Sequence, residues 1–143
     1  MGALQAATVG TRATFSNDFH NVSGTATVLD LERLRIDDFT YDGQGLDVFF
    51  YLGQEDTDAS FIGGLAIGEP LVGTVFDGTQ TPIVIQMPAG QSLADYGAIS
   101  VWCVDATVSF GSGSFVQIPE PSVAGLGLVV LGAGVIGRRR RQC

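Results

Sequence analysis

A chain of 143 residues holds one ordinary domain and no second independent core. It is 45% hydrophobic and only 15% charged, with 20 glycines, a composition too apolar for a disordered acidic protein and suited to short strands joined by turns. There is no lysine, and outside the cluster Arg138–Arg141 only Arg12, Arg33 and Arg35 stand against all 15 acids, so the body repels phosphate backbones and nucleic-acid binding is excluded.

In chain order, residues 1–14 read as a leader remnant or a flexible N-terminus. Met1-Gly2-Ala3-Leu4-Gln5-Ala6-Ala7-Thr8 lacks a basic start and a long apolar core, but Ala3–Ala7 matches the small-residue end of an export leader. Residues 15–116 read as a β domain. Thr25–Leu29, Leu34–Ile36, Asp47–Leu52, Pro82–Met87 and a long Ile99–Phe110 strand are rich in β-branched and aromatic residues, and dense glycines between them break any helical period. The fold class that follows is all-β, a small antiparallel sandwich or barrel. Within Ile99–Phe110 the apolar parity changes: Ile99, Val101 and Cys103 share one face, whereas Val104, Ala106, Val108 and Phe110 take the other. A single strand with this pattern needs a bulge or bend near Cys103, or cover on both sides. Trp102, the sole tryptophan, points away from Cys103.

Residues 117–143 have a different character. Val123–Gly137 contains only Val, Ala, Gly, Leu and Ile. As a helix this run reaches roughly 22 Å against a hydrocarbon core of about 30 Å, which predicts one short, marginal transmembrane helix. The cluster Arg138, Arg139, Arg140 and Arg141 then orients it with the acidic body outside the membrane. Immediately upstream stands Pro119-Glu120-Pro121. Pro-Glu-Pro, a short glycine-rich apolar helix and a terminal arginine cluster together resemble the PEP-CTERM sorting signal of Gram-negative bacteria. That resemblance implies recognition and cleavage by an exosortase, then delivery to the cell envelope, cell surface or extracellular matrix.

The body carries a second resemblance. His20-Asn21-Val22-Ser23-Gly24-Thr25-Ala26, Leu34–Gly43, Asp47–Gly53, Leu93-Ala94-Asp95-Tyr96, Ser100-Val101-Trp102-Cys103 and Phe110-Gly111 occur in the order of the electron-transfer DM-thirteen domain of the Skeletor and Knickkopf type. The sequence departs from that pattern at Leu46, where the family usually has Pro, and at Val104-Asp105-Ala106 after the cysteine. The resemblance implies a small extracellular β domain, often beside haem-binding domains, with a redox role for the cysteine that here is Cys103. Trp102 and His20 fall on the family's preceding tryptophan and its histidine.

The residues themselves define the chemistry available. Cys143 lies beyond the arginines, so Cys103 is a lone thiol in an oxidising compartment. It either packs as a small hydrophobe or works with a metal, a partner haem or a mixed disulfide. A thiolate–imidazole copper site normally uses two histidines, and His20 is the only one. His20 is more simply a turn histidine bonded locally, and the aromatic series Phe49, Phe50, Tyr51 and Trp102 is more simply core than an electron path. Seven acids between Asp37 and Asp58 lack calcium-loop spacing and read as solvated loops. No triad, phosphate loop or zinc pattern is present, so a classical enzyme is not expected. Two functions stand: an exported redox or electron-transfer protein centred on Cys103, or a non-catalytic structural or adhesive component of the extracellular matrix, in contact with its polysaccharide.

Overall fold

The computed structural model describes residues 6–117. Two antiparallel sheets face each other. One contains β1 (Arg12–Thr14), β2 (Ser23–Asp30), β3 (Arg33–Tyr41), β6 (Phe76–Asp77) and β7 (Ile83–Gln86), with β6 and β7 pairing different ends of β3. The other is ordered β5 (Leu65–Ile67), β4 (Val48–Gly53), β8 (Ala98–Cys103) and β9 (Val108–Ser114). The only helical pieces among the described residues are α1 (Asp58–Ile62), capped by Thr57, and a 3₁₀ turn at Leu93–Asp95. The sheet starts before residue 15, because Arg12–Thr14 pairs with Thr25–Thr27 and Ala7 and Thr11 are fully buried. Three residues are too few to show a strand period, which hides β1 in the sequence.

The space between the sheets is filled by alternate residues of β2 (Ala26, Val28), β4 (Val48, Phe50, Leu52) and β8 (Ile99, Val101, Cys103), and by Leu34, Ile36, Phe39 and Tyr41 of β3, where a register shift with Asp38 at φ 55° moves the inward parity from even to odd positions. All six residues of β8 are buried. Its outer face is covered as well, where Trp102 and Ala98 pack against Phe61 of α1. Apolar residues of both parities are therefore accommodated in one strand.

The expected Ile99–Phe110 strand is in fact a hairpin. β8 ends at Cys103, Val104–Thr107 forms the turn with Thr107 at φ 51°, and β9 returns so that Cys103 pairs with Val108. The parity change arises because the turn resets which residues face the core, and no bend at Cys103 is needed. A bulge does occur, on the partner strand: Val101 pairs with Gly111 and Trp102 with Ser109, leaving Phe110 as the extra residue.

The two sheets meet along one side. Arg12 and Val116 exchange backbone hydrogen bonds of 3.0 and 2.8 Å, and the Ser16 amide reaches the Ser112 carbonyl at 2.9 Å. This close approach requires glycine: a Cβ on Gly111 would lie 2.1 Å from the Ser16 carbonyl oxygen, and one on Gly113 2.3 Å from that of Thr14. The other side stays open as a groove of about 480 Å³ between β7 and the 68–74 loop, floored by Phe50 and Ile85.

Candidate functional site

Cys103 closes β8 between Val48 of β4 and Val108 of β9. It is a free thiol, 3% exposed, within the main hydrophobic cluster. Packing with Ile99 and Val101 follows directly from strand parity. Across the sandwich, β3 delivers Tyr41 to the same end of the molecule. Tyr41 is fully buried and its hydroxyl donates to the Gln44 carbonyl. Burial first, then the negative charge of Asp42 and the neighbouring Cys103, push the phenol up to about 12.

Phe110, the bulged residue of β9, connects this pair to His20. Its ring lies 6.3 Å from Tyr41 and 4.3 Å from the His20 imidazole. Displaced from the ladder, its carbonyl accepts the amides of Asp18 and Phe19, both at 3.0 Å, which anchors the turn carrying His20. His20 and Asn21 both have φ of 60°, as the central residues of a type I′ turn do, and the Val22 amide closes the turn on the Phe19 carbonyl. His20 Nδ1 lies 3.0 Å from Asp42 Oδ2. Partial burial pushes the Asp42 carboxyl up, but the Gln44 amide at 2.9 Å and His20 outweigh it and hold the pKa below the ordinary carboxylate value.

His20 and Cys103 therefore belong to one end of the sandwich and are linked through Phe110 and Tyr41. Trp102 does not join them. It packs on the outer face of the second sheet, 5.7 Å from Phe61 and 6.4 Å from Tyr51, so adjacent residues in sequence serve separate clusters. The aromatic series divides in the same way, with Phe50 in the inner core and Tyr51 packed against Trp102 outside. Tyr41, Asp42 and Phe110 were not singled out from sequence. The available signal was the alternation Phe39, Tyr41 in β3, which places the phenol inward.

Among the described residues no three His, Cys, Asp or Glu side chains come together as metal ligands. The His20–Asp42 pair offers two donors and the thiol stands apart in the core, so these residues do not fit a resident copper ion. Among the described residues, no helix is long and apolar enough to cross a membrane. The Pro119-Glu120-Pro121 motif, the apolar run expected to span the membrane and the cluster Arg138–Arg141 lie outside the described residues.

Residues 14–115 match the family of electron transfer DM13 domains. Among curated proteins, the chain is similar to Protein Skeletor, isoforms B/C, of Drosophila melanogaster, with 30% identity over 123 residues covering 76% of this chain and 14% of that protein. It is equally similar to isoforms D/E, of which the match covers 8%. The chain thus spans a small part of the length of the curated relatives it matches. No solved structure matches it.

Proposed function

The chain belongs to the electron transfer DM13 domain family, and from that premise we propose that it is an exported, surface-directed protein that passes electrons through Cys103 without a turnover site of its own. The placement of Cys103 carries this reading: a free thiol, 3% exposed, two residues from exposed Asp105 and in the same buried cluster as Tyr41. Burial selects the type of redox chemistry. Thiol–disulfide exchange needs a second sulfur to reach the thiolate directly, which a covered side chain does not allow. Outer-sphere transfer of one electron needs no contact with the sulfur, only proximity and an acceptor oxidising enough to take an electron from a thiol. In this step the thiol gives one electron to a high-potential oxidised haem of a docked partner and its proton to water at the end of the sandwich. The resulting thiyl radical takes back one electron from a reduced haem of a second partner and one proton from water, which restores the thiol.

The test is photochemical oxidation, with tris(bipyridine)ruthenium(III) and a nitrone spin trap, of the full chain carrying Cys143→Ser, so that Cys103 is its sole thiol. Electron paramagnetic resonance should detect a sulfur-centred adduct, which mass spectrometry places on Cys103 and which the Cys103→Ala variant lacks. Oxidation confined to tyrosines and Trp102, with Cys103 recovered as thiol, would refute the reading. The second reading, a structural component of the extracellular matrix, is favoured by the packing of Cys103 among buried apolar residues. It predicts that Cys103→Ala changes stability alone.

Export rests on the tail. The acidic body, the apolar run and the terminal arginines support a membrane anchor, and their resemblance, together with Pro119-Glu120-Pro121, to a PEP-CTERM signal supports exosortase-directed sorting that makes the anchor transient. Mass spectrometry of mature protein should find a C-terminus near Pro119–Pro121, and secreted material that retains Arg138–Cys143 would overturn this proposal.

A further inference from the structure

We infer that the end of the sandwich at Tyr41 and Cys103 is a docking face for a redox protein with a basic surface; the redox identity of that partner rests on the electron-transfer reading above. Four segments form this end. The Asp42 amide bonds the His20 carbonyl at 3.0 Å, the Gly73 amide bonds the Gly43 carbonyl at 2.9 Å, and the Val104 amide bonds the Asp47 carbonyl at 2.8 Å. These bonds tie the 18–21 turn, the 42–47 loop, the 71–75 loop and the Val104–Thr107 turn into one continuous cap.

The cap exposes apolar side chains that the fold does not use. Leu46 is 76% exposed, Val75 71% and Phe19 54%, the last beside Phe110 with ring centroids 6.3 Å apart. Single exposed apolar residues need no explanation, but several on the same small cap mark an interaction site. The charges around them have one sign. Asp18, Asp47 and Asp105 are exposed, Asp42 is half-buried, and the four segments contain no arginine.

The arginines of the described residues lie toward the opposite end. Arg33 is bonded to Asp30 at 2.9 Å and Arg35 to Asp37 at 2.8 Å, while Arg12 pairs across β2 at the level of Arg35. At about 3.3 Å per residue along β3, Arg35 is roughly 20 Å from Tyr41, well beyond the screening length of about 8 Å in physiological salt. The cap therefore presents an uncompensated negative field around an apolar centre. A small apolar contact with a charged rim suits the brief encounters of electron-transfer proteins, which bury less than about 1,200 Å². Complementarity selects a partner whose arginines and lysines surround an exposed cofactor edge. Anionic lipid and nucleic acid are repelled by the same field.

The experiment uses the full chain, isotopically labelled, with a basic c-type cytochrome carrying zinc in place of iron and kept in the dark, where the probe binds without exchanging electrons. Amide shifts should concentrate at residues 18–21, 42–48, 72–75 and 104–107, and affinity should fall about tenfold or more as salt rises from low to physiological strength. Leu46→Ser and the double variant Asp47→Asn/Asp105→Asn should each weaken binding severalfold, whereas Asp95→Asn at the far end should not. Shifts spread over the acids at Glu55–Asp58 and Asp95 as strongly as over the cap, or equal binding of an acidic protein, would overturn the docking face. Because the probe is redox-inert in the dark and Cys103→Ala should bind it unchanged, the two proposals fail separately. Mapped binding without a thiyl radical refutes electron transfer alone, and a thiyl radical with binding elsewhere refutes the cap alone.

Discussion

Replacing Tyr41 by phenylalanine should change how stability depends on alkaline pH. Tyr41 is fully buried and its phenol is pushed up to about 12, whereas an unfolded chain ionises its tyrosines near pH 10. The folded pKa is the higher one, so this contribution is complete below pH 10 and is lost as pH rises from about 10 to 12. Two units at about 1.4 kcal/mol each give a loss of roughly 2–3 kcal/mol across that window. At neutral pH the substitution removes the hydroxyl bond to the Gln44 carbonyl, which costs about 1 kcal/mol. The two stability curves should therefore cross near pH 11, with the phenylalanine variant weaker below and stronger above. Tyr96, whose pKa burial and Asp95 also raise, is present in both proteins and cancels from the difference. Urea unfolding followed by far-ultraviolet circular dichroism at several pH values between 8 and 11.5 measures that difference. If it stays constant with pH, Tyr41 is not the buried phenol described, and the picture of an uncharged group held beside Cys103 is wrong.

Gly113→Ala should destabilise the domain by about 2–3 kcal/mol in urea unfolding, because the new methyl meets the Thr14 carbonyl oxygen across the seam. Gly63→Ala, with open space around its Cβ, should stay within about 0.5 kcal/mol. Cys103→Ala should cost about 1–2 kcal/mol and Cys103→Ser more, since a hydroxyl enters the apolar cluster without a matching partner. A serine variant at least as stable as the alanine one would place the sulfur in a polar site instead. For Asp42, the folded pKa lies below the ordinary value, so its contribution is present above the usual carboxylate range and fades as pH falls through the folded value. Solvent exposure keeps this to a few tenths of a kcal/mol, and Asp42→Asn should flatten the acid limb of the unfolding curve by that much.

What could be read from sequence divides along physical lines. Strands β2, β4 and β7 were legible because each has four or more residues with β-branched or aromatic character, whereas β3 was read only over Leu34–Ile36, since its inward parity shifts between Ile36 and Phe39. β5 and β6 have three and two residues and depend on neighbours to exist, so no local pattern announces them. The hairpin at Val104–Thr107 was hidden for a different reason. Its turn lacks glycine and places Thr107 at positive φ, a conformation that threonine rarely adopts and that no turn motif would suggest.

The same turn determines what the site is. Had Ile99–Phe110 continued as one bent strand, Cys103 would lie mid-sheet, far from any surface. Because the chain reverses there, the thiol closes β8, two residues from exposed Asp105, and Val108 and Phe110 return along the inner face beside it. The bulge then frees the Phe110 carbonyl for the Asp18 and Phe19 amides, which fixes the His20 turn against the Phe110 ring. Cys103 was identified as the one cysteine of the body, and its redox role through the family resemblance, whose cysteine falls on it. Its partners were not, because Tyr41 comes near it only through the packing of one sheet on the other, and Phe110 only through the register of a hairpin. Contacts of that kind leave no trace in spacing along the chain, so residue identity pointed to the thiol while tertiary geometry supplied its surroundings.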